Sequence, residues 1–313
     1  MRVDCPALFY KVMFTNATAR SNSARAFLVS LRPLEWTKNL VVFTGLVFAY
    51  QFRDSAAVCH ALLAFAAFCG LSGMAYVIND FCDRQQDRQH PQKRLRPIAS
   101  GELDGKAAAA GLTVVGAAVA TTCIWLGREF AIWLVVYLLL NVAYSKWLKH
   151  VIFLDVVCVA IGFLVRVFAG CAAVGVTASG YAISCVFSLA LLLGAGKRRG
   201  ELLAHGEDSA QHRSVFDHYT ERILDGILAV ATVATLASYT IFITSHKHPS
   251  AMLYTIALVA AGVWRYLRLL YKGRGADQPA RLVWSDWPLL LACAAWVATT
   301  MAILWASGRT TPP

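Results

Sequence analysis

Residues 55–87 read SAAVCHALLAFAAFCGLSGMAYVINDFCDRQQD. The first part of this stretch is almost entirely apolar, and a helix needs roughly 20 such residues to cross a bilayer. Asn79, Asp80, Asp83 and Asp87 follow directly. The stretch therefore predicts a membrane-spanning helix that ends in a cluster of acidic side chains at the membrane surface.

The composition of the whole chain agrees with a membrane protein. Of the 313 residues, 58% are hydrophobic and 15% are charged, and the mean hydropathy is +0.55. Soluble domains carry about 25% charged residues. We therefore predict an all-α, polytopic membrane protein. Nine apolar runs reach or approach spanning length, at 36–52, 55–79, 107–126, 129–147, 151–174, 179–196, 223–245, 250–270 and 287–307.

The distribution of Lys and Arg predicts the orientation of these spans. With a cytoplasmic N-terminus, 24 of the 29 Lys and Arg residues lie on the cytoplasmic side, four lie on the other side, and Arg166 lies within a span. Cytoplasmic loops of membrane proteins carry such an excess. The split accounts for most of the net charge of +11 without a nucleic-acid partner. We also expect no cleaved signal peptide, because residues 1–30 lack a sustained apolar core.

The nine cysteines suggest packing rather than chemistry. No CxxC occurs, and no Cys/His group has zinc-ligand spacing. Most of the cysteines lie inside apolar runs, where Cys behaves as a small hydrophobic residue. We expect no structural disulfide and no metal–sulfur site.

The acidic cluster has the pattern NDxxDxxxD. On a continuous helix, Asp80, Asp83 and Asp87 lie at i, i+3 and i+7 and share one stripe. Carboxylate and amide oxygens are hard ligands that suit Mg²⁺, which in turn bridges to phosphate oxygens. The pattern therefore predicts a Mg²⁺ site formed by these three aspartates with help from Asn79.

A plainer interpretation of the cluster is a solvated helix end. Ion pairs four residues apart, Asp80–Arg84 or Asp83–Arg88, would stabilise such an end. Polar groups close to membrane depth are costly, however, and this cost favours a functional role.

A basic segment follows the acidic one. It contains Lys93, Arg94 and Arg96, in a loop shaped by prolines at 91 and 97 and a glycine at 101. The guanidinium group offers forked donors to phosphate oxygens. We predict that Arg94 and Arg96 bind phosphate, and Lys93 to a lesser degree, although ordinary positive-inside topology is the alternative. Metal-binding acids beside cations indicate a diphosphate ligand.

Four stretches within the first two-thirds of the chain carry a family resemblance: RPLEWTKNLVVF at 32–43, NDFCDRQQDRQHPQKRLRPIASG at 79–101, YSKWLKHVIFLDV at 144–156 and GAGKRRGEL at 194–202. With them the sequence resembles the UbiA superfamily of intramembrane prenyltransferases. It looks closest to the branch of polyprenyl-phosphate phosphoribosyltransferases, the decaprenyl-phosphate type. The resemblance implies a nine-helix UbiA-type bundle with a cytoplasmic-side cavity. It also implies a cytoplasmic segment at 1–30, a catalytic domain at 31–308 and a location in the plasma (inner) membrane.

One departure from the superfamily bears on the substrate. True prenyltransferases have a second aspartate-rich motif after the sixth helix, but here that position reads Lys197-Arg198-Arg199-Gly200-Glu201. The exchange of acids for cations favours a donor with an additional phosphate, such as phosphoribosyl pyrophosphate. We expect Lys197 and Arg198 to hold phosphates and Glu201 to bind a ribose hydroxyl or aid the metal, with topology as the alternative for the two cations.

Further candidate substrate-binding residues come from the other stretches. Tyr144 and Lys149 end the fourth span, and the resemblance places Lys38 and Asn39 at the same cavity. The fifth span carries two charges within the membrane, which is a hint of function. These are Asp155 and Arg166, for which purely structural interhelical pairing remains an alternative.

The sequence thus predicts transfer of 5-phosphoribose from phosphoribosyl pyrophosphate to a polyprenyl phosphate, with Asp80, Asp83, Asp87 and Lys197 as catalytic residues and Mg²⁺ as cofactor. The nearest alternative is a prenyltransferase that uses prenyl diphosphate and an aromatic acceptor. A cation-coupled transporter is more remote, because transporters place charges near the membrane midplane.

Overall fold

The computed structural model of the protein describes residues 23–91, 93–205, 219–245, 248–273 and 279–308, without the side chains of 204 and 205. Within these ranges the chain forms helices and no strand. The α-helices are α1 (Ser23–Ser30), α2 (Thr44–Phe48), α3 (Ser55–Cys82), α4 (Arg84–Gln89), α5 (Pro97–Ser100), α6 (Gly105–Leu126), α7 (Arg128–Lys146), α8 (Leu154–Ala173), α9 (Gly180–His205), α10 (Glu221–Thr244), α11 (Tyr254–Tyr271), α12 (Pro279–Ser285) and α13 (Trp287–Ala306). Short 3₁₀ helices occupy Pro33–Phe43, Gln51–Arg53, Lys93–Leu95, Leu148–His150 and Ser250–Leu253.

Eight helices in the described part of the chain are long and apolar enough to cross a membrane. They are α3, α6, α7, α8, α9, α10, α13 and the continuous helical segment that ends in α11. Each coincides with a predicted span, and most ends agree within a few residues. The prediction of an all-α, multi-pass membrane protein is confirmed, while the count of nine spans stays a prediction.

The first predicted span, 36–52, has a different local structure. It consists of the 3₁₀ helix Pro33–Phe43, the short helix α2 and the 3₁₀ turn Gln51–Arg53. The 3₁₀ helix lies directly on the backbone of α8, where a β-carbon built on Gly170 would be 2.0 Å from the carbonyl oxygen of Val42. Only glycine permits so close a crossing.

Two apolar clusters hold the bundle together. The first joins the N-terminal half through buried side chains that include Val42, Phe68 and Phe130. The second joins α9 to α13 through side chains such as Leu192 and Leu270. Because α8 packs along α9, the two halves form one bundle.

The helix ends bring the charged residues together. The helix α3 ends at Cys82, and α4 begins at Arg84 after a non-helical turn at Asp83. The prediction of one continuous helix through Asp87 is therefore wrong. The physical reason is the interruption of the helix at Asp83 (φ −91°, ψ 7°), which gives the last aspartate its own short helix.

Candidate functional site

Two of the three motif aspartates converge. Asp80 and Asp87 are both buried, with 3% and 2% of their surface exposed. Nη1 of Arg96 donates to both carboxylates, at 2.9 Å from Asp80 and 2.7 Å from Asp87. One nitrogen thus lies between two carboxylate oxygens, and we call Asp80 and Asp87 the acidic pair.

Arg32 is a partner of the acidic pair that the sequence analysis did not select. Its Nη2 donates to Asp80 at 2.6 Å, and its guanidinium lies 4.5 Å from the centre of the Tyr76 ring. Arg32 has a left-handed backbone (φ 54°, ψ 67°) directly before Pro33, a conformation that costs a non-glycine residue about 1–3 kcal/mol. The only indication of Arg32 in the sequence is its place at the start of RPLEWTKNLVVF, one of the four stretches that carry the family resemblance.

The other two members of the predicted metal site lie apart from the pair. Asn79 and Asp83 are exposed, and the turn at Asp83 interrupts the stripe that the prediction assigned to Asp80, Asp83 and Asp87. No group of three or more His, Cys, Asp or Glu side chains close enough for a metal ion occurs within the described ranges. The alternative ion pairs do not form either, since Asp80 pairs with Arg32 and Arg96, and Arg88 donates to the carbonyl of Ala99.

The acidic pair nevertheless fits a magnesium ion. Mg²⁺ is usually held by one or two carboxylates together with water and substrate phosphate, not by a complete protein cage. Asp80 and Asp87 supply two hard oxygen ligands that already meet at a single cationic nitrogen. The pair therefore offers the donor set that the ion requires.

A second cluster surrounds Arg198 at the end of α9. Its guanidinium donates to Asp155 at 2.5 Å, to the hydroxyl of Tyr144 at 2.9 Å and to Glu201. Arg198 is 3% exposed and Asp155 is 1% exposed. The buried cation is thus fully engaged with protein partners, which accounts for its burial without any ligand.

Tyr219 also belongs to this cluster. It is the first described residue after α9. Its hydroxyl donates to Asp155 at 2.7 Å and accepts the backbone N–H of Phe153 at 2.9 Å. Phe153 is the central residue of a strained γ-turn (φ 65°, ψ −40°), closed by a 2.8 Å bond from Leu154 N to the Ile152 carbonyl. Burial and the hydrogen bond to Asp155 raise the pKa of Tyr219 well above its ordinary value. No sequence motif marked this residue.

Lys197 lies beside the second cluster with 44% of its side chain exposed, and its Nζ is 3.7 Å from Glu201. Glu35, which pairs with Lys38, connects this region to the first 3₁₀ helix. Burial raises the pKa of Glu35, but the positive charges of Lys38, Lys197 and Arg281 outweigh burial and hold it below its usual value. Several cations therefore act on one carboxylate here.

Arg166 forms a third polar cluster deeper in the bundle. It donates to the Asn39 side chain at 2.7 Å, to the Gly162 carbonyl at 2.8 Å and to the Tyr137 hydroxyl at 2.8 Å. Asn39 is itself buried. Asp155 pairs with Arg198, and no carboxylate in the described part of the chain contacts Arg166. The two charges of α8 therefore belong to different clusters.

The remaining predicted residues lie at the periphery of these clusters. Lys93 and Arg94 are exposed, and Lys149 is half-buried next to the turn that precedes Asp155. The structure thus assembles Asp80, Asp87 and Arg96 in one cluster. It assembles Tyr144, Asp155, Arg198 and Glu201 in another.

Comparison with known proteins identifies relatives along nearly the whole chain. The sequence profile of the UbiA prenyltransferase family matches residues 40–287. The decaprenyl-phosphate phosphoribosyltransferase of Mycolicibacterium smegmatis is 29% identical over 91% of this chain and 94% of that protein. The decaprenyl-phosphate phosphoribosyltransferase of Corynebacterium glutamicum is also 29% identical, over 88% of this chain and 86% of its own length.

The fold has solved counterparts. A UbiA homolog from Archaeoglobus fulgidus, bound to GPP and Mg²⁺, superposes with a TM-score of 0.68 at 18% identity. The alignment covers 90% of this chain and 99% of that protein. At this identity the similarity establishes the shared fold.

Proposed function

Since this chain belongs to the UbiA prenyltransferase family, we propose that it transfers 5-phosphoribose from phosphoribosyl pyrophosphate to a polyprenyl phosphate and releases pyrophosphate. The observation that carries the proposal is similarity over about nine-tenths of the chain to proteins named decaprenyl-phosphate phosphoribosyltransferase. The acidic pair and the surrounding cations support it, because the donor carries a diphosphate and a separate phosphate.

We propose that Asp80 and Asp87 hold Mg²⁺ directly, and that Asn79 and Asp83, which are exposed, act as outer oxygen ligands through the water that the ion retains. A bound ion would neutralise the negative charge that develops on the leaving diphosphate. The burial of the two carboxylates supports this assignment, since electrostatic interactions strengthen away from water.

The phosphate groups are proposed to contact the accessible cations. Arg94 is exposed, and Lys38 and Lys197 are half-exposed, so each can reach a ligand. Arg198 is engaged with Asp155, Glu201 and Tyr144, and we assign it the role of positioning Glu201 beside Lys197. Lys149, half-buried beside the turn that precedes Asp155, is proposed as a further substrate-binding cation.

The proposed reaction needs no strong general base from the protein. The attacking oxygen belongs to a lipid phosphate, which is already anionic near neutral pH, and it forms a bond to C1 of the ribose while the bond from C1 to the diphosphate breaks. Catalysis then depends on orientation of the two substrates and on stabilisation of charge. Fixed ion-pair clusters on rigid helices are suited to that task.

We further propose that the acidic pair lies on the cytoplasmic side of the plasma membrane, where a soluble sugar diphosphate is available. The excess of Lys and Arg on one side of the predicted spans supports this orientation. The division into a segment 1–30 and a catalytic domain 31–308 belongs to the same proposal; residues 1–22 lie outside the described ranges.

The test is incubation of the purified full chain with ribose-labelled phosphoribosyl pyrophosphate, Mg²⁺ and a panel of polyprenyl phosphates. We expect the label to enter a lipid fraction with stoichiometric release of pyrophosphate. Consumption of prenyl diphosphate with an aromatic acceptor, and no labelled lipid, would transfer the assignment to the prenyltransferase alternative. Solute counterflow in proteoliposomes without either reaction would indicate a transporter.

A further inference from the structure

The acidic pair is bridged by a cation that belongs to the protein. Nη1 of Arg96 is within hydrogen-bond distance of both Asp80 and Asp87. A divalent ion that binds both carboxylates needs the same position, since it also must lie within contact distance of both. Two cations at one position repel each other strongly at a part-buried site.

We propose that Arg96 is a displaceable counter-cation: a divalent ion replaces it between Asp80 and Asp87, and the released guanidinium then binds the diphosphate that accompanies the ion. This inference rests on the metal site of the proposed function. It assigns to one side chain two successive partners, first the carboxylates and then the phosphate. Charge remains balanced at each stage, because the arginine leaves as the ion and its phosphate ligand arrive.

The surroundings of Arg96 favour its release. It lies between the exposed 3₁₀ turn Lys93–Leu95 and Pro97, at the start of α5. Its side chain is 29% exposed, whereas those of the two aspartates are almost fully buried. The acids thus stay in place while the arginine has solvent on one side.

Arg32 is about as exposed as Arg96, with 31% of its side chain accessible, but its contacts differ. It contacts Asp80 alone, and its guanidinium stacks on Tyr76. Its strained backbone is held by the neighbouring packing of Leu31 against α3. Arg32 can therefore remain beside Asp80 as a fixed cation while Arg96 exchanges.

The experiment measures Mn²⁺ binding to the full-length protein in nanodiscs by EPR of the free ion, with and without pyrophosphate. For R96Q we expect Mn²⁺ alone to bind roughly tenfold more tightly than in the wild type, because one competing like charge is lost. With saturating Mn²⁺, pyrophosphate should bind R96Q more weakly than the wild type. These two changes have opposite signs.

Two further variants distinguish the exchange of Arg96 for a divalent ion from a general loosening of the segment around Arg96. Arg88 donates to the carbonyl of Ala99 and contacts neither carboxylate, so R88Q should leave the affinity for Mn²⁺ unchanged. R96K retains the positive charge and should stay near the wild-type affinity for Mn²⁺. Thermal unfolding of each variant confirms that folded protein is compared.

Each outcome has a distinct meaning. If R96Q weakens both ligands or leaves Mn²⁺ binding unchanged, Arg96 is an ordinary structural or phosphate-binding residue and the exchange is refuted. If wild type and D87N bind Mn²⁺ equally, the metal site of the proposed function fails, and the exchange that rests on it fails with it. If the opposite-sign changes occur but no labelled lipid forms, the exchange stands and the substrate assignment fails.

Discussion

Asp83 and Asp87 belong to one motif but have different surroundings. Asp83 is exposed at the interruption between α3 and α4, whereas Asp87 is buried against Arg96. The exposed residue can be changed without loss of an ion pair that stabilises the fold. The two aspartates therefore permit a separation of catalytic from structural effects.

Asp83→Asn should abolish turnover while the midpoint of thermal unfolding stays within about 1 °C of the wild type, as for surface substitutions in general. Asp87→Asn should abolish turnover and also destabilise the protein, by about 1–3 kcal/mol, because it breaks a buried ion pair. Phosphoribosyl transfer and thermal unfolding, measured on the same preparations, check both expectations. Wild-type turnover in the Asp83 variant would remove Asp83 from the metal site.

The raised pKa of Tyr219 leads us to expect that the stability of the fold depends on pH. The folded-state pKa of its hydroxyl is raised, so the protonated form stabilises the fold below the ordinary tyrosine pKa of about 10. That stability is lost as pH rises above about 10 toward the folded-state pKa. Tyr219→Phe should cost about 1–2 kcal/mol at pH 8, from loss of the bonds to Asp155 and Phe153.

The measurement is thermal unfolding of wild type and Tyr219→Phe between pH 7 and 11. The difference in stability between them should be constant up to about pH 10 and should shrink above it. A difference that grows at high pH would contradict the assigned hydrogen bonds. A parallel change in the KM for phosphoribosyl pyrophosphate would show that Tyr219 positions the Arg198 cluster as well as stabilising it.

At the scale of helices, the crossing of the first 3₁₀ helix over α8 decides the geometry of the site. That helix carries Lys38 and Asn39, and α8 carries Asp155 and Arg166. Their contact depends on the missing side chain at Gly170. A larger residue there must separate the two helices and with them the polar clusters.

Gly170→Ala should destabilise the protein by about 1–3 kcal/mol or more, because its β-carbon would overlap the Val42 carbonyl oxygen. The matched control is Gly226→Ala in α10, where an added β-carbon meets no atom within 4 Å. The control should be neutral or stabilising by up to about 1 kcal/mol, as expected for Ala in a helix. Equal stability of both variants in detergent unfolding would contradict the close crossing.

At the scale of the whole molecule, α3 connects the two faces of the bundle. Its 28 residues give a length of about 42 Å at 1.5 Å per residue. Cys59 lies near one end of α3 and Cys82 at the other, and both are exposed. These natural cysteines report which face carries the acidic pair.

Variants that retain only Cys59 or only Cys82 test the orientation with a membrane-impermeant maleimide. We expect Cys82 to react in inside-out vesicles and Cys59 to react in right-side-out vesicles. The reverse pattern would place the acidic pair outside the cell and would contradict the orientation proposed from the Lys and Arg distribution.

Much of the architecture followed from local sequence. The eight long helices lie where apolar runs of spanning length occur. The NDxxDxxxD stretch and the segment 197–201 supply Asp80, Asp87, Arg198 and Glu201 to the polar clusters. The first predicted span was less accurate, because the contact of Val42 with Gly170, 128 positions along the chain, shapes it. Periodicity within one segment carries no information on such a crossing.

The sequence by itself determined the fold class, the positions of the eight long helices and the residue types of the candidate site, because burial in a bilayer depends on run length and polarity along the chain. Only the tertiary structure decided which charges meet. Arg32 reaches Asp80 across 48 positions and Tyr219 reaches Asp155 across 64. A side chain selects its partner by distance in space, and for residues on different helices that distance exists only after the helices have packed.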